Sequence, residues 1–153
     1  MRRITPTLVV GPGITADDVP RLRRSGITAI LSLQQPGGDI RVEAMARVRA
    51  ACAIEPAIAY ENVAIRDYDP HDLIRRLPDA ITTLRELTAH GRTVYLHCCE
   101  GVNRAPSAAL AYLVLERGMA VDDALERLRA AHAGARPYAE FVAWMRSAQP
   151  VER

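Results

Sequence analysis

At 153 residues, with 49% hydrophobic and 25% charged side chains, the chain has the size of one domain that can bury a core without staples, and its composition is globular. A net charge of +2, carried on the basic side by arginine alone, is too small to suggest nucleic acid as a partner, and we read the missing lysine as a compositional bias of the genome. No apolar run approaches the roughly 20 residues of a membrane span and no hydrophobic leader core opens the chain, so a cytoplasmic protein without a membrane partner is expected. Three cysteines, Cys52, Cys98 and Cys99, make an odd count with two adjacent, which points to reduced thiols rather than a disulfide scaffold.

In chain order, residues 1–7 read as a polar lead-in and 8–10 as a short strand closed by Gly11-Pro12-Gly13. A helix capped by Thr15 or Asp17 runs to Ser25 and stops at Gly26. A buried strand is expected over 27–33, a turn over 34–38, and a helix over 39–51 with Ile40, Val42, Met45 and Val48 available for burial. The next strand, 58–65, runs into the acidic loop Arg66-Asp67-Tyr68-Asp69-Pro70-His71-Asp72. An amphipathic helix follows over 73–88, with Pro78 as a kink and Asp72 as the better-placed cap. A strand over 92–97 and helices over 104–117, 121–131 and 139–145 complete the chain. Strands alternating with helices predict a single α/β domain, 1–153, with a mainly parallel central sheet between two helical layers. Ligands of such sheets bind beyond the carboxyl ends of the strands, where the Asp67 loop and the segment after His97 both emerge.

That segment, His97-Cys98-Cys99-Glu100-Gly101-Val102-Asn103-Arg104, reads as strand, tight loop and helix start. A nucleophilic cysteine must be a thiolate; a helix N-terminus and the Arg104 guanidinium across the loop both favour that form of Cys98. The N–H groups of Cys99, Glu100, Gly101, Val102, Asn103 and Arg104 can cradle a tetrahedral oxyanion, and Arg104 can grip two of its oxygens in a planar fork. The loop is built for a phosphoryl group. His71, His90 and His132 lack ligand spacing and the vicinal thiols form no metal-binding pair, so neither a metal nor another cofactor is expected.

His97-Cys98, five residues and then Arg104 resembles the signature of the cysteine-dependent dual-specificity phosphatases. More closely, the stretches 30–35, 65–73, 76–78 and 104–106 resemble those of the plant starch or glucan phosphatases of laforin type. The resemblance implies a compact phosphatase domain acting on a phosphorylated substrate, phosphoglucan or phosphoprotein. Cys98 would be the nucleophile and Arg104 the stabiliser of the transferring phosphoryl group. Asp67 would be the general acid, with Asp69 the rival for that role. Tyr68 would pack against sugar, and His97 would brace the loop and tune the thiolate. Tyr138, Phe141 and Trp144 are expected in the core of the terminal helix.

The departures are local. Most dual-specificity phosphatases place Ser or Thr after the signature arginine, where this chain and the starch enzymes have alanine, Ala105. Glu100 and Asn103 stand where the glucan enzymes favour small residues, and Pro36-Gly37-Gly38-Asp39 lacks their aromatics. Ser32 stands where the plant enzymes carry a redox-partner cysteine, so that switch is expected to be missing. Cys99 and Cys52 read as structural thiols. A non-catalytic phosphate-binding domain is the rival of another class.

Overall fold

The computed structural model describes residues 1–148; the single-domain reading extends over 149–153, which lie outside the described residues. Five strands, β1 (Arg2–Thr5), β2 (Leu8–Gly11), β3 (Ala29–Ser32), β4 (Ala59–Asn62) and β5 (Val94–His97), form one sheet in the order β1-β2-β5-β3-β4. All neighbouring strands are parallel except β1 and β2. Among the described residues six α-helices flank it: α1 (Val19–Arg24), α2 (Val42–Cys52), α3 (Pro70–Ala89), α4 (Arg104–Leu115), α5 (Val121–Ala131) and α6 (Ala139–Ala148).

The two-residue period of the strands divides the core into the expected two layers. Val9, Tyr95, Ile30 and Tyr60 are register partners across β2, β5, β3 and β4, and they pack on Val19, Leu22, Met45 and Val48 of α1 and α2. The alternate positions Leu8, Val10, Val94, Leu96, Ala29 and Leu31 face the other way, onto α3 to α6. α4 lies deepest: every residue from Arg104 to Val114 is buried, which accounts for its almost unbroken small and apolar sequence. In α3 the buried set Leu73, Leu77, Ala80, Ile81, Leu84 and Leu87 recurs at helical spacing, and the helix continues through Pro78. No helix among the described residues is long and apolar enough to cross a membrane.

Three expectations need correction. The lead-in contains β1, an edge strand with exposed Arg2 and Arg3 and buried Ile4 and Thr5, turned back onto β2 at Pro6-Thr7; its charged, half-apolar sequence hid it. The second helix begins at Val42 rather than at 39, with Val42 itself exposed, because Asp39 is occupied elsewhere. The cap of α3 is Asp69, whose carboxylate accepts from the Asp72 N–H at 2.9 Å with Pro70 in the first turn, while Asp72 accepts from the Arg66 N–H at 2.7 Å.

Candidate active site

β5 ends at His97, in the middle of the sheet, and the chain turns through Cys98 to Asn103 before α4 begins at Arg104. Gly101 makes the tight turn. Its φ is +72°, and a Cβ there would stand 2.7 Å from the backbone carbon and oxygen of Gly11, so no other residue fits without moving β2.

Five loop carbonyls are tied outward. That of Cys98 accepts from His97 Nδ1 at 3.0 Å, and that of Gly101 from His132 Nε2 at 2.8 Å. Those of Cys99, Val102 and Asn103 accept from the N–H groups of Gly13 (2.7 Å), Arg136 (2.7 Å) and Ser107 (3.0 Å). In a trans peptide the next residue's N–H points opposite to the carbonyl, so Cys99, Glu100, Val102, Asn103 and Arg104 aim theirs inward. Among the described residues no protein group accepts from them. These five, with Cys98, Asp67 and Tyr68, line one small pocket, and Gly101 is the one loop residue outside it. The floor of that pocket is a ring of unspent amide dipoles at a helix N-terminus, which suits a tetrahedral anion.

Arg104 is 1% exposed and charged. Burial opposes its charge, but the Asp39 carboxylate beside it holds its pKa above the ordinary value. Its Nη1 donates to the carbonyls of Ile65 (2.8 Å) and Leu33 (3.3 Å), and its Nη2 to Asp39 Oδ2 at 2.5 Å. Among the described residues Nε–H finds no hydrogen-bond acceptor, and it stands 3.4 Å from Asp67 Oδ1. Burial also works against ionising Asp39, yet donors from Arg104, Cys99 and the Gln35 N–H hold it below the ordinary carboxylate range. Cys99 is half-buried and gives its S–H to Asp39 Oδ2 at 3.0 Å, while burial and that carboxylate push its thiol up. Cys98 is buried at the pocket and Cys52 lies in the other core layer, both as free thiols. His97 is also buried; burial pushes its pKa down to about 4, so at neutral pH it is an uncharged ring whose Nε2 has no hydrogen-bond partner among the described residues. It braces the loop through the Cys98 carbonyl as a neutral group.

The two acids of the loop after β4 part company. Asp69 is spent on the α3 cap and pairs with Arg66 at 3.6 Å. Asp67 turns to the pocket, its Oδ1 accepting from the Tyr68 N–H at 3.0 Å and from Tyr138 Oη at 3.3 Å. Tyr68 has a left-handed backbone, φ 58°, and presents its ring at the pocket rim with 78% of its surface exposed. A non-glycine residue in that conformation costs of order 1–3 kcal/mol, and such strain gathers at functional sites.

Sequence reasoning missed Asp39, His132 and Tyr138. Asp39 follows two glycines in a turn, and nothing local marks it as the partner of an arginine 65 residues on. His132 and Tyr138 flank the connection between α5 and α6, where the Arg-Pro-Tyr sequence was the available signal. Phe141 is buried as expected, whereas Trp144 is partly exposed.

The chain belongs to the dual specificity phosphatase family: the model of its catalytic domain matches residues 23–150. Phosphoglucan phosphatase DSP4, amyloplastic, of Castanea sativa is 34% identical over 123 residues, covering 75% of this chain and 32% of its own length. Dual specificity protein phosphatase 22 of Xenopus tropicalis is 27% identical over 141 residues, 92% of this chain and 61% of that protein. The chain thus spans about a third and about three fifths of these relatives. Among solved structures, the PTP-2 phosphatase of Cydia pomonella superposes with a TM-score of 0.77 at 21% identity, over 95% of this chain and 88% of that one, which supports the fold.

Proposed function

We propose that this chain is one catalytic domain, a phosphomonoester hydrolase working through a cysteinyl-phosphate on Cys98, and that its substrate is a phosphorylated glucan. The observation that carries the chemistry is the convergence of Cys98, five inward N–H groups, Arg104 and Asp67 on one pocket. Cys98 Sγ attacks phosphorus in line; the S–P bond forms as the bond to the leaving oxygen breaks, and the Asp67 carboxyl gives that oxygen its proton. The loop amides and Arg104 meet the charge on the equatorial oxygens. Asp67, now a carboxylate, takes a proton from water as that water attacks phosphorus and the S–P bond breaks, returning Cys98 and releasing phosphate. The thiol requires a reducing compartment, and we place the protein in the cytoplasm on that ground.

The glucan reading rests on the exposed Tyr68 ring at the rim, a flat apolar face suited to stack on sugar, and on the likeness to a phosphoglucan phosphatase. The likeness over 92% of the chain to a dual specificity protein phosphatase supports a second reading, a phosphoprotein substrate. Hydrolysis of para-nitrophenyl phosphate by the chain and its loss in Cys98→Ser test the chemistry; orthovanadate should inhibit and chelators should not. Equal activity of the two proteins sinks it. Phosphate release from phosphorylated glucan, compared with phosphotyrosine and phosphothreonine peptides under one set of conditions, tests the substrate. An undiminished glucan rate in Tyr68→Ala removes the stacking argument.

A further inference from the structure

The connection between α5 and α6 is stitched to both halves of the site. His132 holds the Gly101 carbonyl, the Arg136 N–H holds that of Val102, and the Arg136 carbonyl accepts from Asn103 Nδ2 at 2.8 Å. Two residues on, the Tyr138 N–H donates to Ser107 Oγ at 3.3 Å, fixing its backbone to α4. Its side chain then crosses to the opposite loop, where the phenol oxygen accepts the Tyr68 N–H at 2.9 Å and donates to Asp67 Oδ1 at 3.3 Å. One residue therefore reads the position of the phosphate cradle through its backbone and sets that of the acid loop through its hydroxyl.

We infer that Tyr138 is a positioning residue that orients the Asp67 carboxyl for proton delivery, leaving Oδ2 as the oxygen that carries the proton. Oδ1 accepts the Tyr68 N–H and the Tyr138 hydroxyl, and it is also the oxygen that faces the Arg104 guanidinium, whose Nε stands 3.4 Å away as an ion pair without a hydrogen bond. Oδ2 has no hydrogen-bond partner among the described residues. A carboxylic acid whose carbonyl oxygen is held by donors keeps its O–H free to point at the leaving group. When a phosphoryl group draws Arg104 Nε to itself, the hydroxyl of Tyr138 and the Tyr68 amide it steadies remain to hold the carboxyl. The same hydroxyl also secures the left-handed turn at Tyr68, which would otherwise relax. Burial pushes the Tyr138 phenol up to about 12, so it stays a donor throughout the working pH range.

This inference rests on Asp67 being the general acid, and the test separates the two. Tyr138→Phe keeps the ring and removes only the hydroxyl. Phenyl phosphate, whose leaving group is a basic phenolate, and dinitrophenyl phosphate, whose phenolate leaves without a proton, are compared by kcat/KM, which reports the steps up to transfer onto Cys98. For Tyr138→Phe, about a tenfold loss is expected on phenyl phosphate and under twofold on dinitrophenyl phosphate, with no further loss when it is added to Asp67→Asn. Equal losses on both substrates, or an additive loss in the double variant, overturn the role of Tyr138. If Asp67→Asn itself shows no dependence on the leaving group, the acid assignment fails and the inference falls with it. If Asp67→Asn discriminates and Tyr138→Phe does not, only the inference falls.

Discussion

Acidification from neutral pH should destabilise this protein first through His97. Burial pushes the imidazolium down to about 4, whereas in the unfolded chain it titrates near 6.5. Between those values the unfolded state binds a proton that the native state refuses, so stability falls as pH falls. The contribution is complete above about pH 6.5 and gone by about pH 4, and its full size is on the order of 3 kcal/mol, with a slope approaching 1.4 kcal/mol per pH unit in mid-window. Asp18, Asp39 and Asp72 lie below their ordinary value of 3.8, and Glu116, beside Arg85, lies below its ordinary 4.5, so what they contribute fades only towards the acid end of this window, and the slope from pH 7 to about 5.5 belongs to His97. Urea unfolding followed by circular dichroism at pH 7, 6, 5 and 4.5 reads the slope. His97→Asn, which keeps a donor for the Cys98 carbonyl, should flatten it. A wild-type stability that does not change between pH 7 and 4.5, or a variant with the wild-type slope, would refute the reasoning.

Asp67→Asn should lower kcat/KM for phenyl phosphate by about 10²-fold or more, while Asp69→Ala should keep most activity and lose about 1 kcal/mol with the α3 cap; steady-state kinetics beside urea melts distinguish them. Gly101→Ala should abolish vanadate binding and lower stability by about 1–3 kcal/mol, because a left-handed residue must also push against Gly11; near-normal binding by calorimetry would mean the loop shifts freely. With alanine at 105, breakdown of the phosphoenzyme should be slower than its formation. Rapid mixing with para-nitrophenyl phosphate should show a burst of nitrophenol that shrinks in Ala105→Ser, and a single steady rate in the wild type would count against it.

The candidate site was legible where it was local. Cys98, Arg104 and the loop between them carry their meaning in spacing, and the strand and helix around them in apolar periodicity. The residues alone did not separate Asp67 from Asp69, because both precede the same helix; the family resemblance favoured Asp67, and the fold shows that Asp69 is the carboxyl spent on the cap. Asp39 and Tyr138 reach the site from 65 and 34 residues away from Arg104 in opposite directions, and no local pattern encodes such a meeting. β1 was missed because an exposed edge strand needs only two buried residues, Ile4 and Thr5, to hold its place. The left-handed backbone of Tyr68 belongs to the same class: it is imposed by Asp67 and Tyr138, and not by the preference of a tyrosine.

The outward-tied carbonyls have a thermodynamic side as well. Five N–H dipoles held by the fold so that they converge on one point repel one another, and a tetrahedral dianion bound there relieves that repulsion. Under the proposed mechanism inorganic phosphate is the last species to leave the pocket, and it should therefore also bind the resting protein. By linkage it raises the melting temperature as its concentration passes its dissociation constant, and it competes with substrate over the same range.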